Sequence, residues 1–196
     1  MAGYRREKKK FCFFWRSGPF TQWYPSKFKG TSEYDESQVE REFCNAEQWM
    51  MYNKALLFGD VVVADDIMQT TDPKRIKALG RKAKNFSEPV WVKHRQKIVY
   101  EGNKLKFTQN ESLLETLLGT GHKTFVEASP SDKIWGIGMT ENDPNAVHPN
   151  KWRGLNLLGQ ILTQLRDELS GNETNTSTQV RQQYFPDLDR IDERSE

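Results

Sequence analysis

From Phe43 to Asp60 apolar residues recur at helical spacing on more than one side of the chain. Glu47, Met50, Met51, Lys54, Leu57 and Phe58 take the i, i+3, i+4, i+7, i+10 and i+11 positions of one face. Trp49, Tyr52 and Leu56 make much of the other side apolar, so the pattern predicts a helix enclosed by the fold rather than lying on its surface. Glu47 and Lys54 occupy positions where apolar side chains belong and are expected indoors. Seven residues of helix rise about 10.5 Å, too far for an easy direct salt bridge. The two are therefore either a structural set of buried charges or two heads converging on one ligand.

Elsewhere the pattern is shorter and more broken. Phe11 to Trp15 is an aromatic run suited to a buried strand, ended by the turn residues Ser17-Gly18-Pro19. Phe20, Trp23, Tyr24, Pro25, Ser26 and Phe28 make an aromatic loop, because Pro25 has no N–H for a central strand. Val61 to Met68 predicts a short helix, Pro73 opens another that Gly80 is placed to end, and Trp91 to Glu101 follows Pro89 as a third. Lys104 to Asn110 leads into an apolar helix, Leu113 to Leu118, stopped by Gly119 and Gly121. Thr124 to Ala128 is strand-like, Ser129-Pro130 breaks it, and Gly136 and Gly138 mark a run where the backbone can approach a ligand closely. Trp152, Leu155, Leu158, Leu162, Leu165 and Leu169 trace the face of a long final helix. The elements add up to an α+β, mainly helical fold, with one small β-sheet from pieces near 11–15, 39–44 and 124–138. The expected organisation is a basic segment at 1–10, a single compact domain at 11–170 and a polar, acidic tail at 171–196, with a flexible joint at Asn172 to Ser177.

Charge changes the picture locally. The net charge is only +2, yet between Lys74 and Lys106 eleven Lys and Arg face two acids, Glu88 and Glu101. Such a segment is either a set of solvated helix faces or a surface for a phosphate-bearing partner. Six Trp serve equally well as core or as stacking platforms for bases. Cys12, Cys44 and three separated His have no metal-ligand spacing, so no metal is expected and the setting is read as reducing and intracellular, cytoplasmic or nuclear. The apolar run behind the basic start is too short for a signal core or a membrane span. There is no Walker loop and no complete Gly-x-Gly-x-x-Gly, and no Gly-x-Ser-x-Gly elbow surrounds Ser129. No cofactor is expected.

Eight blocks in order carry a resemblance. They are Phe20-x-x-Trp23-Tyr24-Pro25-Ser26-x-Phe28; Glu47 with Lys54-Ala55; Leu79-Gly80-Arg81; Asn85-Phe86 before Trp91; Lys106-Phe107-x-Gln109-Asn110; Thr120-Gly121; Glu127 to Gly138; and Trp152-x-Gly154-x-Asn156-x-x-Gly159. From about Phe11 to Leu169 the chain resembles the NADAR superfamily, also called YbiA-like. The resemblance implies a compact, mainly helical domain that cleaves N-glycosidic bonds of ribose-phosphate compounds. Some relatives are described as removing reactive intermediates of early riboflavin synthesis, others as taking ADP-ribose off guanine. Gln48 stands where the family usually has His and Gln22 where Asn is common, which is expected to retune substrate orientation.

The implied catalytic residues are Glu47, Lys54 and Asp132, one carboxyl moving a proton or activating water while another stabilises a cationic ribose carbon. From local sequence alone Asp132 is equally a turn cap after Pro130. Arg81 is expected to fork onto a pyrophosphate, or else only to complement a helix C-terminus. Trp91 and Trp135 match pocket-lining positions, with Trp15 and Trp23 as lesser candidates and Ser129 as a binding contact outside the chemistry. The function implied is a hydrolase that removes ADP-ribose from guanine in nucleic acid or nucleotides, with ADP-ribosylated DNA or RNA as partner. Two rivals remain: an N-glycosidase of phosphoribosyl-aminopyrimidine intermediates, and a non-catalytic module that binds ADP-ribose or NAD.

Overall fold

Six α-helices, four short strands and one 3-10 turn, Pro149–Lys151, make up the regular structure of residues 8–171, the part of the chain that the computed structural model describes. In chain order the strands and α-helices are β1 (Phe11–Phe14), β2 (Phe28–Gly30), β3 (Arg41–Phe43), α1 (Ala46–Leu57), α2 (Val61–Met68), α3 (Pro73–Gly80), α4 (Glu88–Thr108), α5 (Glu111–Leu118), β4 (Thr124–Glu127) and α6 (Leu157–Leu169). The chain is thus α+β and mainly helical, as its pattern predicts. Its residues sort into two compact units, one of residues 16–119 and one of residues 8–15 with 120–171. The tail and the joint expected at Asn172 to Ser177 lie outside the described residues, as do the first seven. Among the described residues no helix is long and apolar enough to cross a membrane.

In the unit of residues 16–119, α1 packs against α2, α3, α4 and β3. It is enclosed as expected: Ala46 to Asn53 and Ala55 are all buried. Phe43 closes β3 instead of opening the helix, and Asn45 caps α1 by accepting from the Gln48 N–H at 2.9 Å. The antiparallel pair of β2 with β3 sets Phe28 opposite Phe43, both rings lying against Trp49. Pro25 precedes β2 and so removes no donor from the ladder.

The stretch from Glu88 to Thr108, read as two pieces, is one helix of 21 residues. Pro89 falls in its first turn, where the missing N–H costs nothing. Gly102 looks like a break but is a contact: a Cβ there would lie 2.3 Å from Trp49 Cδ1. The absent side chain lets α4 lie against α1, and Trp49 Nε1 donates across to the Ile98 carbonyl at 2.8 Å.

In the unit of residues 8–15 with 120–171, β1 pairs with β4 in parallel, Phe11 opposite Thr124, and α6 packs on β4. The strands therefore form two separate pairs rather than the single small sheet expected, because 39–44 pairs with β2 and not with these strands. The final helix also starts later than its apolar stripe suggests. Trp152 and Leu155 precede it, and Asn156, at φ 54°, turns the chain into α6 while its side chain completes β4. Asn156 Oδ1 accepts from the Glu127 N–H at 2.9 Å and Nδ2 donates to the Phe125 carbonyl at 2.9 Å.

Candidate active site

The residues that the sequence singles out fall into two groups, one in each unit. In the unit of residues 16–119, the Asn45 cap places Glu47 in the first turn of α1, where the helix dipole favours a carboxylate. Glu47 is 2% exposed, and its main-chain N–H donates to the Gln22 carbonyl at 3.0 Å. Gln48 beside it is committed to the scaffold. It accepts from the Cys44 N–H at 2.8 Å and donates to the carbonyls of Ile67 and Thr70 at 3.1 and 3.0 Å. With both ends of its amide used, Gln48 ties α1 to the end of α2 and is unavailable to orient a substrate. Gln22 is less occupied: Oε1 accepts from Asn103 Nδ2 at 2.9 Å, while Nε2 finds no partner among the described residues.

Lys54 lies two turns along from Glu47, half-buried rather than enclosed. Its Nζ sits 4.3 Å from the centre of the Phe86 ring and 5.5 Å from that of Trp91. Among the described residues no carboxylate pairs with it. Removal from water therefore dominates, and burial pushes its amine below the usual lysine value; Glu88 pulls the other way, Arg81 reinforces the lowering, and Glu47 opposes it weakly. Aromatic faces hold an ammonium without fixing its proton as a carboxylate would.

Trp91 is buried and supports Lys54. Trp23 is half-buried and meets Lys77, whose Nζ is 5.9 Å from its ring. Arg81 is the exposed residue that ends α3, its N–H bonded to the Lys77 carbonyl. That is the position expected of a charge complementing a helix C-terminus, though its guanidinium is near enough to act on Lys54. Of the eleven cations between Lys74 and Lys106, Arg95 and Lys106 are buried and Lys97 bonds Glu33, so the basic segment is less of a surface than its composition suggests.

Sequence reasoning passed over four residues here. Phe86 belongs to a matched block, but nothing in a single sequence joins it to Lys54. The left-handed turn at Asn85, φ 55°, brings its ring against Phe58 and under the amine. Glu88 acts on the Lys54 amine and lies 3.8 Å from Arg95 NH1. Lys106 is fully buried with one hydrogen bond, Nζ to the Thr21 carbonyl at 3.0 Å, and lies over the Tyr24 and Phe107 rings. Burial brings its amine down to about 7. A lysine at a helical core position was the available signal.

In the other unit Ser129, Asp132 and Trp135 share one turn. Asp132 Oδ1 accepts from the N–H groups of Ile134 and Trp135 at 2.9 and 2.8 Å, and Ser129 Oγ accepts from the Asp132 N–H at 3.2 Å. Asp132 is a turn cap, as its local sequence allows, and its Oδ2 takes no hydrogen bond from the described residues. Trp135 is half-buried, as is Trp15 just after β1. The glycines of this block serve the chain rather than a ligand. A Cβ at Gly136 would lie 2.8 Å from the Glu127 carbonyl oxygen, and one at Gly154 would lie 2.3 Å from that of Gly136. Backbone packs on backbone here, and the carbonyls of Ile134 and Trp135 receive the N–H groups of Leu157 and Leu158. Among the described residues no group of three or more His, Cys, Asp or Glu is placed to hold a metal ion.

The NADAR domain model matches residues 13–170, spanning every element from the second half of β1 to the end of α6. The chain belongs to the NADAR domain family. An N-glycosidase of Acanthamoeba polyphaga mimivirus is 50% identical over 149 residues, which are 76% of this chain and 86% of that protein. Protein irg-1 of Caenorhabditis elegans is 37% identical over 170 residues, covering 82% of this chain and 80% of its own. The solution structure of the Escherichia coli protein YbiA superposes with a TM-score of 0.62 at 18% identity, covering 84% of this chain and 88% of that one, and shows the shared fold. A Nostoc punctiforme relative, 28% identical over 65% of this chain and 74% of its own, is also named an N-glycosidase. Cleavage of an N-glycosidic bond is the activity that these names support for the family.

Proposed function

We propose that this protein is an N-glycosidase that removes ADP-ribose from guanine bases of nucleic acid or nucleotides. The observation that carries the reading is Lys54: an amine on two aromatic faces, without a paired carboxylate among the described residues, and pushed by burial toward its neutral form. A binding module has no use for such a group, since a lysine that grips phosphate works best charged. A glycosidase does. When the ribose ring opens, its C1′ forms an imine with the guanine amino nitrogen. Neutral Nζ adds to C1′, its two protons pass in turn to the guanine nitrogen, and the C1′–N bond breaks to release the base as its free amine. Water then adds to the lysine imine and frees both sugar and amine. Glu47, buried two turns away on the same helix, is the proposed proton carrier.

A polyanionic substrate is supported by the exposed cations of α3 and the turn after it, Lys74, Arg75, Arg81, Lys82 and Lys84. The rival substrate class, phosphoribosyl-aminopyrimidines, draws support from a maize relative named riboflavin biosynthesis protein PYRR, 33% identical over 113 residues. Guanine-linked ADP-ribose and the riboflavin intermediates, offered side by side, separate the two by which one releases free sugar phosphate. Turnover of the aminopyrimidine alone refutes the ADP-ribose reading, and turnover of neither restores the binding module.

A further inference from the structure

Arg95 is a charge in the wrong place for a structural residue. The buried stripe of α4 runs Trp91, Arg95, Ile98, Val99, Gly102, Asn103, Lys106 and Phe107, and Arg95, 7% exposed, lies within it. A guanidinium has five N–H donors. Among the described residues it has a single ionic neighbour, Glu88 Oε1 at 3.8 Å from NH1, which is beyond hydrogen-bond reach. Its Nε is buried and finds no hydrogen-bond partner among the described residues.

Arg166 shows what a structural arginine looks like in this chain. Equally buried, it bonds Asp167 Oδ1 through Nε at 2.9 Å and NH2 at 2.7 Å, and gives NH1 to the Lys123 carbonyl. Taking a charge out of water costs several kcal/mol unless its donors are satisfied. Arg166 meets that condition and Arg95 does not.

Its surroundings say what is missing. Trp91, one turn earlier on α4, carries the Lys54 amine on its ring, and Glu88 is the carboxylate that acts most strongly on that amine. Glu88 itself is mostly exposed, its side chain 59% accessible, so it can swing into water at little cost. An anion taking its place would meet a planar fork that matches two phosphate oxygens. We propose that Arg95 is the phosphate-gripping residue beside Lys54, with Glu88 holding its place until the phosphate or pyrophosphate of a ribose-phosphate substrate displaces it. This rests on the N-glycosidase reading but not on which base is removed. It moves to Arg95 the role that the sequence suggests for Arg81.

Calorimetry with inorganic pyrophosphate, and separately with ADP-ribose, on the full chain tests it. Arg95→Gln weakens both by roughly 10-fold or more, the span of charge-assisted hydrogen bonds, whereas adenosine, which lacks phosphate, binds no worse than to wild type. Because Arg95→Gln disturbs a buried site, Glu88→Gln supplies the second arm: removing the competing carboxylate tightens pyrophosphate binding, a gain that unfolding cannot produce. The proposal is overturned if wild type does not bind pyrophosphate, if folded Arg95→Gln binds it normally, or if Glu88→Gln fails to tighten it. A substrate other than ADP-ribosyl-guanine leaves these phosphate arms unchanged, so an error about the base is distinguishable from an error about Arg95.

Discussion

Replacing Lys106 with Met tests whether a lysine in the core of the helical unit is neutral when the protein is folded. Its Nζ has one acceptor, the Thr21 carbonyl, and aromatic rings around it. The folded amine titrates at about 7, whereas a lysine in an unfolded chain titrates near 10.4. Below the lower value both states carry the proton, and above the higher one neither does. Between them the unfolded chain holds about one proton more, so stability rises with pH by about 1.4 kcal/mol per unit. From about pH 7.5 to 9.5 the gain is therefore roughly 2–3 kcal/mol. Lys106→Met loses that slope, and measured against the neutral amine it also loses about 1–3 kcal/mol by leaving the Thr21 carbonyl without its donor, so it compares best with wild type at the low end of this range and worst at the high end. Urea unfolding of both proteins across this range reads the difference, in which Cys12, Cys44 and the tyrosines cancel because both proteins contain them. Parallel stability curves would refute the reasoning and show that Lys106 stays charged in the core.

Lys54→Arg lowers turnover by roughly 100-fold or more if the neutral amine is the nucleophile. Borohydride added during wild-type turnover fixes a sugar adduct on Lys54, read by peptide mass spectrometry; near-normal turnover of the variant sinks the covalent route. Since the Lys54 pKa is lowered, wild-type turnover climbs with pH and levels off below the ordinary lysine value, and a rate that falls over that range contradicts the assignment. Gly102→Ala lowers the melting temperature, because a Cβ 2.3 Å from Trp49 Cδ1 costs about 1–3 kcal/mol, more than the roughly 1 kcal/mol that helix propensity returns. Asn156→Ala and Asn156→Gly both lose the two bonds to β4. Alanine, strained at φ 54°, melts lower than glycine by the equivalent of about 1 kcal/mol, and equal melting would show that the backbone turn is not held there.

The pattern of apolar positions by itself determined the helical class, the enclosed α1, and the limits of α2 and α3, because local spacing and end signals such as the Asp60 cap and Pro73 in the first turn act over a few residues. The matched blocks likewise singled out Lys54 and Trp91, which the fold brings together. What failed were the inferences that needed a partner distant in the chain. Glu88 to Thr108 read as two pieces until Gly102 packed against Trp49 within one helix, 39–44 read as part of one sheet until β2 took it, and Gly136 read as room for a ligand until the Glu127 carbonyl came against it. Charge showed the same division. The eleven cations between Lys74 and Lys106 read either as solvated faces or as one basic surface, yet burial removes Arg95 and Lys106 from both and leaves them, among the described residues, one with an unpartnered Nε and the other with a single acceptor. The cost of burying a charge depends on which donors are satisfied, and that is decided by groups tens of residues away, so only the tertiary structure could separate these two lysine and arginine positions from their solvated neighbours.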